Sequence, residues 1–488
     1  MEHRSFTFNK TGMTIHMVGI GGISMSGLAE ILMNKDVKIT GSDLQETEIT
    51  KRLSNMGAVI YTGHSSENIT NQDLVVYTAA VSQDNPELVE ARNKNIPAIE
   101  RSELLGAIMD QFENTIAVSG THGKTTTTSM ISSIVLEAGL DPTIHVGGLL
   151  NLIGGNTRIG NSPYFIAEAC EYKNSFLQFR PSLAVVLNID ADHLDFFRDI
   201  EHIKTSFEAF LTNVRTPGLI VLNFDDPQTK SLSKVLTRPI ISYGINNPEA
   251  DWTCEKITFK EGYADFVIIH KKAEWASVKL SVPGMHNVSN ALAAIAACQG
   301  LGVSKSAIIK GLENFKGTHR RLEHKGIINN VRVMDDYAHH PTEIQASLNA
   351  ARSLSTNHLI CVFQPHTYTR TNELLDDFSR AFALVDTVIV TDIYAAREKD
   401  TGIINSRTLT DRINMNTSNA VYISDFKDIV KFLHENATAG DLVITMGAGN
   451  VYQIGNMFLS PSEANPVREA NPVAIANPVS TVNTVTTV

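Results

Sequence analysis

Residues 115–128 read Thr-Ile-Ala-Val-Ser-Gly-Thr-His-Gly-Lys-Thr-Thr-Thr-Thr. A β-branched run enters a glycine turn, and Gly123, Lys124 and Thr125 open a segment whose apolar residues Met130, Ile131, Ile134 and Val135 recur at helical spacing. Strand, glycine loop and helix in that order make a phosphate cradle. Backbone N–H groups of the loop and of the helix N-terminus point at anionic oxygens, a lysine reaches the β/γ-phosphates, and a threonine hydroxyl can ligate Mg²⁺. The candidate phosphate-binding residues are Gly120, Thr121, His122, Gly123, Lys124, Thr125 and Thr126. The loop is shorter than the usual G-x-x-x-x-G-K-[ST] pattern, since Val118 stands where its first glycine would fall.

Acidic residues gather at the ends of two further strand candidates. Tyr164–Ala167 runs into Glu168-Ala-Cys170-Glu171, and Leu183–Ile189 into Asp190-Ala-Asp192-His193. Mg²⁺ takes oxygen ligands and keeps several waters, so Thr125 and Glu168 fit a metal–phosphate site, with His193 as a ligand or a supporting partner. Polar clusters recur later, at Asp335-Asp336-Tyr337-Ala338-His339-His340-Pro341-Thr342-Glu343, Gln364–Thr371 and Gly447–Asn450. The His339/His340 pair lacks the cysteine spacing of a zinc site, so these residues are read as lining a cleft. Arg320 and Arg321 form a basic pair placed to contact phosphate.

The elements that position these residues alternate strand and helix, which implies parallel sheets. Near the N-terminus, strands at 14–19, Val37–Thr40, Ala58–Tyr61 and Leu74–Thr78 surround the glycine cluster Gly19-Ile-Gly21-Gly22-Ile-Ser24, with Asp43 about twenty positions on. Ser24 replaces the third glycine of a dinucleotide fingerprint, so the cluster points to a nucleotide diphosphate and not to NAD in particular. Around 284–321 the character changes. A small-residue helix, Ala291–Cys298, precedes a third alternating region with strands Val331–Met334, Leu359–Phe363, Thr387–Val390 and Leu442–Thr445. The expected organisation is residues 1–110, 111–318 and 319–460 as three α/β domains, followed by a disordered tail at 461–488 in which Asn-Pro-Val recurs.

Composition agrees with an enzyme of this kind. The chain has 488 residues and a formal net charge of −11, which argues against a nucleic-acid partner. Its four cysteines, Cys170, Cys254, Cys298 and Cys361, form no C-x-x-C pair and read as reduced thiols. No signal peptide or membrane-length apolar run is found, so a cytoplasmic location is expected.

The motifs Gly-Thr-His-Gly-Lys-Thr-Thr-Thr-Thr, His286-Asn-x-x-Asn290-Ala-Leu-Ala-Ala, Gly-Thr-x-Arg320-Arg321, Asp335-Asp336-Tyr-x-His339-His340-Pro-Thr-Glu343 and Phe-Gln-Pro-His366-x-Tyr-x-Arg370-Thr, in that order, resemble the Mur ligases over about residues 13–459. The resemblance implies a Rossmann-like N-domain that binds a UDP-linked substrate, a central P-loop-type ATPase domain with a mostly parallel sheet, and a Rossmann-like C-domain. It implies ATP and Mg²⁺ as cofactors and UDP-N-acetylmuramate and L-alanine as substrates, joined through an acyl phosphate, with monomer and homodimer both open. By the same resemblance, the loop Gly120–Thr126, Asn290, Arg321 and Asp336 contact ATP. Thr125, Glu168 and His193 hold the metal, and Gly21, Gly22, Ser42 and His64 hold the uridine nucleotide. Lys124, Glu168, His193, His339, His366 and Arg370 serve the reaction. Many relatives read Glu-Ala-Asp-Glu-Ser where this chain has Glu168-Ala-Cys170-Glu171-Tyr172, so the first glutamate is kept and the second acidic position is a thiol. The rival readings are a ligase that adds a recycled peptide to the same acceptor, a nicotinamide-dependent oxidoreductase built on Gly19–Ser24, and a nucleotide sensor without catalysis.

Overall fold

The computed structural model describes residues 12–355, 357–396 and 398–460. The tail expected at 461–488 lies outside the described residues. Three sheets follow one another along the chain. The first has five parallel strands in the spatial order Val59–Thr62, Lys38–Asp43, Thr14–Val18, Leu74–Tyr77, Ala98–Glu100. The third has six strands. Five are parallel, and the antiparallel Glu323–Ile328 lies at one edge beside Val331–Asp336.

The middle sheet has ten strands. At its centre Asn114–Ser119 lies between Tyr164–Glu168 and Leu183–Val186, parallel to both. Residues 115–119 are all buried, because helices cover both faces of a parallel sheet. One of those helices is Lys124–Glu137, whose Met130, Ile131, Ile134 and Val135 are fully enclosed. It packs against Met285–Gly300 and Lys305–Asn314. Ala291, Ala293, Ala294, Ala296 and Ala297 are all without exposed surface, so small side chains let Met285–Gly300 approach closely. The far edge is an antiparallel meander, Trp252–Lys260, Tyr263–His270 and Ala273–Pro283.

Two details differ from the sequence expectation. The strand read as Leu183–Ile189 ends at Val186. Beyond it Asn188 turns toward the glycine loop, taking the Thr121 N–H on its carbonyl at 3.1 Å and the His122 N–H on its side-chain oxygen at 2.8 Å. The backbone there serves the loop instead of a neighbouring strand. The first strand likewise stops at Val18, and Gly19 turns at φ 79°.

The first sheet and one face of the middle sheet share one apolar core, in which Ile15, Met17 and Leu104 are continuous with Phe165, Phe176 and Phe207. The third sheet has its own cores on its two faces. The segment leading into it carries positive φ at Gly317, Arg320 and Leu322. Among the described residues no helix is long and apolar enough to cross a membrane.

Candidate active site

The glycine loop lies where the two other sheets meet the middle one. Gly120 and Gly123 have φ of 140° and 85°, conformations that side-chain-bearing residues rarely adopt. A Cβ on Gly123 would lie 2.7 Å from the Asn290 side-chain oxygen, which brings Asn290 against the loop. The Lys124 ammonium donates to the Gly120 and Thr121 carbonyls and, at 2.9 Å, to Glu171 Oε2. Burial alone would lower its pKa, but Glu171 and its anionic surroundings raise it, so the charge is retained. Thr125 donates its hydroxyl to Glu168 Oε2 at 3.0 Å, and Glu168 Oε1 accepts the Gly147 N–H at 2.6 Å. A hydroxyl and a carboxylate side by side at the helix N-terminus form the hard-oxygen donor set that Mg²⁺ takes. His193, at φ 55°, has its Nε2 3.9 Å from Glu171 and 3.8 Å from Asp192 and its ring against Tyr172.

Two large cavities share this loop. One, of about 460 Å³, is lined by His122, Gly123, Thr126, Asn290, Arg321 and Asp336 among others, and so lies between the middle and third sheets. Thr318, which also lines it, has a buried hydroxyl without a protein partner. The other, of about 440 Å³, runs from Gly19, Gly22 and Ser24 past Arg101 and His145 to Lys124, Glu168 and Cys170. Burial pushes the Cys170 thiol up to about 11, so it remains protonated. Ser24 is held from both sides, by Arg101 at 2.9 Å and by His145 of the middle sheet at 2.8 Å. Burial, with Arg101 nearby, lowers His145 to about 3 and keeps it neutral.

The third sheet brings its polar clusters to the same junction. Asp336 accepts the N–H groups of Leu322 and Ala338, and burial raises its pKa to about 6. Arg370 makes two contacts to Asp192 Oδ1, at 2.9 and 3.2 Å, and lies 3.2 Å from His366. His339 packs edge-on against His366, with its Nδ1 3.0 Å from the Tyr337 carbonyl and 3.4 Å from Glu343. Burial lowers its pKa to about 3. Arg321 lies over Tyr337 and 3.9 Å from Glu343. Arg320, read from the sequence as a phosphate contact with Arg321, is committed elsewhere. Its guanidinium binds Asp335 and the Gly447 and Gly449 carbonyls, so it ties strands of the third sheet together.

His122, Asp190 and His340 place donor atoms within 4.8 Å of one another, as a metal site would. His122 lies between Asp190 at 3.2 Å and Glu343 at 3.3 Å, and although burial opposes its charge, these two carboxylates raise it to about 9.

Of the uridine-site candidates, Gly22 lines the second cavity and Gly21, Ser42 and His64 do not. The Gly21 N–H binds Asp43, and Ser42 is fully buried. Glu343, part of a cluster read from sequence as lining a cleft, does line the first cavity. Asn188 and Arg101 were not singled out from sequence, because each acts through partners far along the chain, His122 and Ser24.

A glycine loop opening a helix, with the Thr125 hydroxyl and the Glu168 carboxylate beside it, set where three α/β sheets converge, has the build of a three-domain nucleotide-binding enzyme. Family models match in the same order: "Mur ligase family, catalytic domain" over residues 14–113, "Mur ligase middle domain" over 118–298 and "Mur ligase, glutamate ligase domain" over 320–449. The chain belongs to the Mur ligase family. It is 57% identical over 450 residues to a UDP-N-acetylmuramate–L-alanine ligase of Acetivibrio thermocellus, covering 92% of this chain and 96% of that one. It is 52% identical to the enzyme of the same name in Clostridium tetani, covering 93% and 100%. Its structure is similar to the crystal structure of the UDP-N-acetylmuramate-alanine ligase of Thermotoga maritima, with TM-score 0.78, 30% identity and coverage of 91% and 98%. It is also similar to a murein peptide ligase of Psychrobacter arcticus, with TM-score 0.69, 26% identity and coverage of 92% and 98%.

Proposed function

We propose that this chain joins L-alanine to the carboxylate of UDP-N-acetylmuramate at the expense of ATP, in the cytoplasm. The carrying observation is the phosphate loop shared by two cavities: Gly123 and Thr126 line one, Lys124 and Glu168 the other. ATP lies in the first, against Asn290, Arg321 and Asp336, and its terminal phosphate reaches into the second, where the nucleotide-linked acid arrives from Gly22. Boundaries near residues 110, 318 and 460 divide the chain into acid-binding, ATP-binding and closing domains.

The fit to ATP and Mg²⁺ rests on the Gly120–Gly123 cradle, the unpartnered Thr318 hydroxyl and the oxygen donors of Thr125 and Glu168. Thr125, Glu168 and His193 would hold the metal, which screens phosphate charge when bound. A carboxylate is a poor acylating agent. Its oxygen attacks the γ-phosphorus, the bond to the β-phosphate oxygen breaks, and acyl phosphate and ADP result. The amine of L-alanine then attacks the acyl carbon, and phosphate leaves with the bonding pair, taking up the proton that the amine gives up. Bringing two anions together is the barrier in the first step. Lys124 and Arg370 lower it by positioned charge, exchanging their present partners Glu171 and Asp192 for phosphate oxygens. His339 stays neutral and offers the amine a hydrogen-bond acceptor next to His366.

Calorimetry tests the substrate assignment. UDP-N-acetylmuramate is expected to bind and NAD is not. Tighter binding of NAD would favour the oxidoreductase reading of Gly19–Ser24.

A further inference from the structure

Glu87 is the second residue of the helix Pro86–Asn93, which the Asn85 side chain caps by accepting the Glu87 N–H at 2.9 Å. A carboxylate there normally faces solvent and interacts with the helix dipole. This one points inward and has no exposed surface. Four side chains from four segments of the first domain converge on it, and they divide by oxygen. Oε1 accepts from Asn68 at 2.7 Å and lies 3.2 Å from His16 Nε2. Oε2 accepts the Ser42 hydroxyl at 2.7 Å and lies 2.9 Å from His64 Nδ1. Ser42 and His64 are themselves 3.0 Å apart. The framework side is anchored further, since His16 also meets Thr40 at 2.9 Å and Asn68 donates to the Gly63 carbonyl at 3.2 Å.

Taking a carboxylate fully out of water is costly unless its lone pairs are met. Burial alone would raise the pKa of Glu87. The hydrogen bonds from His16, Ser42 and Asn68 outweigh it and hold the group at about 2, so it is a buried anion at neutral pH. A domain of this size could close its core without one. What distinguishes the arrangement is the identity of the Oε2 partners. Ser42 lies in the strand Lys38–Asp43, next to Asp43, which accepts the Gly21 N–H. His64, with its Nδ1 edge taken by Glu87 and Ser42, keeps 18% of its side chain exposed.

We propose that Glu87 is a positioning residue for the uridine nucleotide: its Oε2, together with the buried Ser42 hydroxyl, fixes the rotamer of the partly exposed His64, while its Oε1 is tied to the sheet through His16 and Asn68. This rests on the reading that the first domain holds a uridine nucleotide. The carboxylate accepts at every one of these contacts, and a carboxamide cannot. In Glu87→Gln an NH2 replaces one of the two oxygens, so a contact on either the Ser42 and His64 side or the Asn68 and His16 side must be lost or reversed, with the shape unchanged.

The test uses UDP as the probe in calorimetry on the full chain, together with steady-state kinetics. Glu87→Gln is expected to weaken UDP binding about tenfold or more, the cost of a hydrogen bond to a charged group. The KM for UDP-N-acetylmuramate should rise in step, while kcat and the KM for ATP stay within about twofold, since only binding shared by ground and transition states is lost. Glu87→Asp should recover part of the loss. His64→Gln should weaken UDP binding comparably, and the double variant should lose no more than either single one. Asn68→Ala removes an Oε1 anchor, leaves Ser42 and His64 in place, and serves if Glu87→Gln does not fold. It is expected to weaken UDP binding about threefold, at the lower end of a neutral hydrogen bond. Unchanged UDP affinity with a lowered melting temperature in either variant would overturn the proposal and make Glu87 a core residue only. Failure of the wild-type chain to bind UDP would instead overturn the nucleotide reading on which it rests.

Discussion

Lys124 holds a charge inside the protein at the point where the two cavities meet, and Glu171 is its counter-ion. Lys124→Ala should therefore reduce ligation by about 10²–10³-fold or more, the usual effect of removing a positioned charge from a phosphoryl-transfer site. Near-normal turnover of the purified variant would contradict the ATP assignment. Glu168→Gln keeps the shape but replaces a charged oxygen beside Thr125. The Mg²⁺ concentration needed for half-maximal activity should rise about tenfold or more, and an unchanged Mg²⁺ titration would place the metal elsewhere. Both residues were legible in the sequence because strand, loop and helix carry their meaning over a dozen consecutive positions. Glu87 and Asn188 were not, because each acts through partners that only the tertiary fold supplies. Arg320 shows the opposite failure. A basic pair at a boundary has the same spacing whether it meets phosphate or, as here, Asp335 and two carbonyls.

The turn from Asn114–Ser119 into Lys124–Glu137 depends on Gly123. Gly123→Ala would force a Cβ into a left-handed conformation, at about 1–2 kcal/mol, and against the Asn290 oxygen 2.7 Å away. A lower melting temperature together with a raised KM for ATP is expected, and neither change would refute the cradle geometry. The loop is also tied to the third sheet through His122. Because its pKa is raised from 6.5 to about 9, its contribution to stability is full below pH 6.5 and is lost as pH rises through about 9. Melting temperatures of wild type and His122→Gln should differ most below pH 6.5 and converge above pH 9. A constant difference would mean that His122 is not held protonated. Among elements, the parallel strands that carry the loop and the acidic clusters were legible as β-branched runs between helical stretches, whereas Ala98–Glu100, Thr143–Leu150, Leu219–Asn223, Ile240–Tyr243 and Ala420–Tyr422 were not singled out. The meander Trp252–Pro283 was missed as well. Its strands alternate buried and exposed residues and pack one face only, so they lack the continuous apolar run of the central strands.

Across the whole molecule, the first and middle units share an apolar core, whereas the third has its own. The site contacts between the third and middle units are largely polar: His340 to the Ala191 carbonyl, Thr342 to Asp190, Arg370 to Asp192 and Glu343 to His122. Polar contacts break at lower cost than a shared core, so the third unit is the one expected to move when ATP enters. Asp192→Asn removes the counter-ion of Arg370. X-ray scattering should show a larger radius of gyration for that variant than for wild type without nucleotide, and identical profiles would contradict this division of the molecule. The proposed ligation needs three substrates at one phosphate loop. Its most direct test is phosphate release by the full chain with ATP, Mg²⁺ and UDP-N-acetylmuramate, with the second substrate varied. Release that requires the uridine nucleotide and L-alanine together, matched by formation of the alanyl product, is expected. Release that is indifferent to L-alanine but driven by a tripeptide, or that proceeds unchanged without the uridine nucleotide, would contradict it.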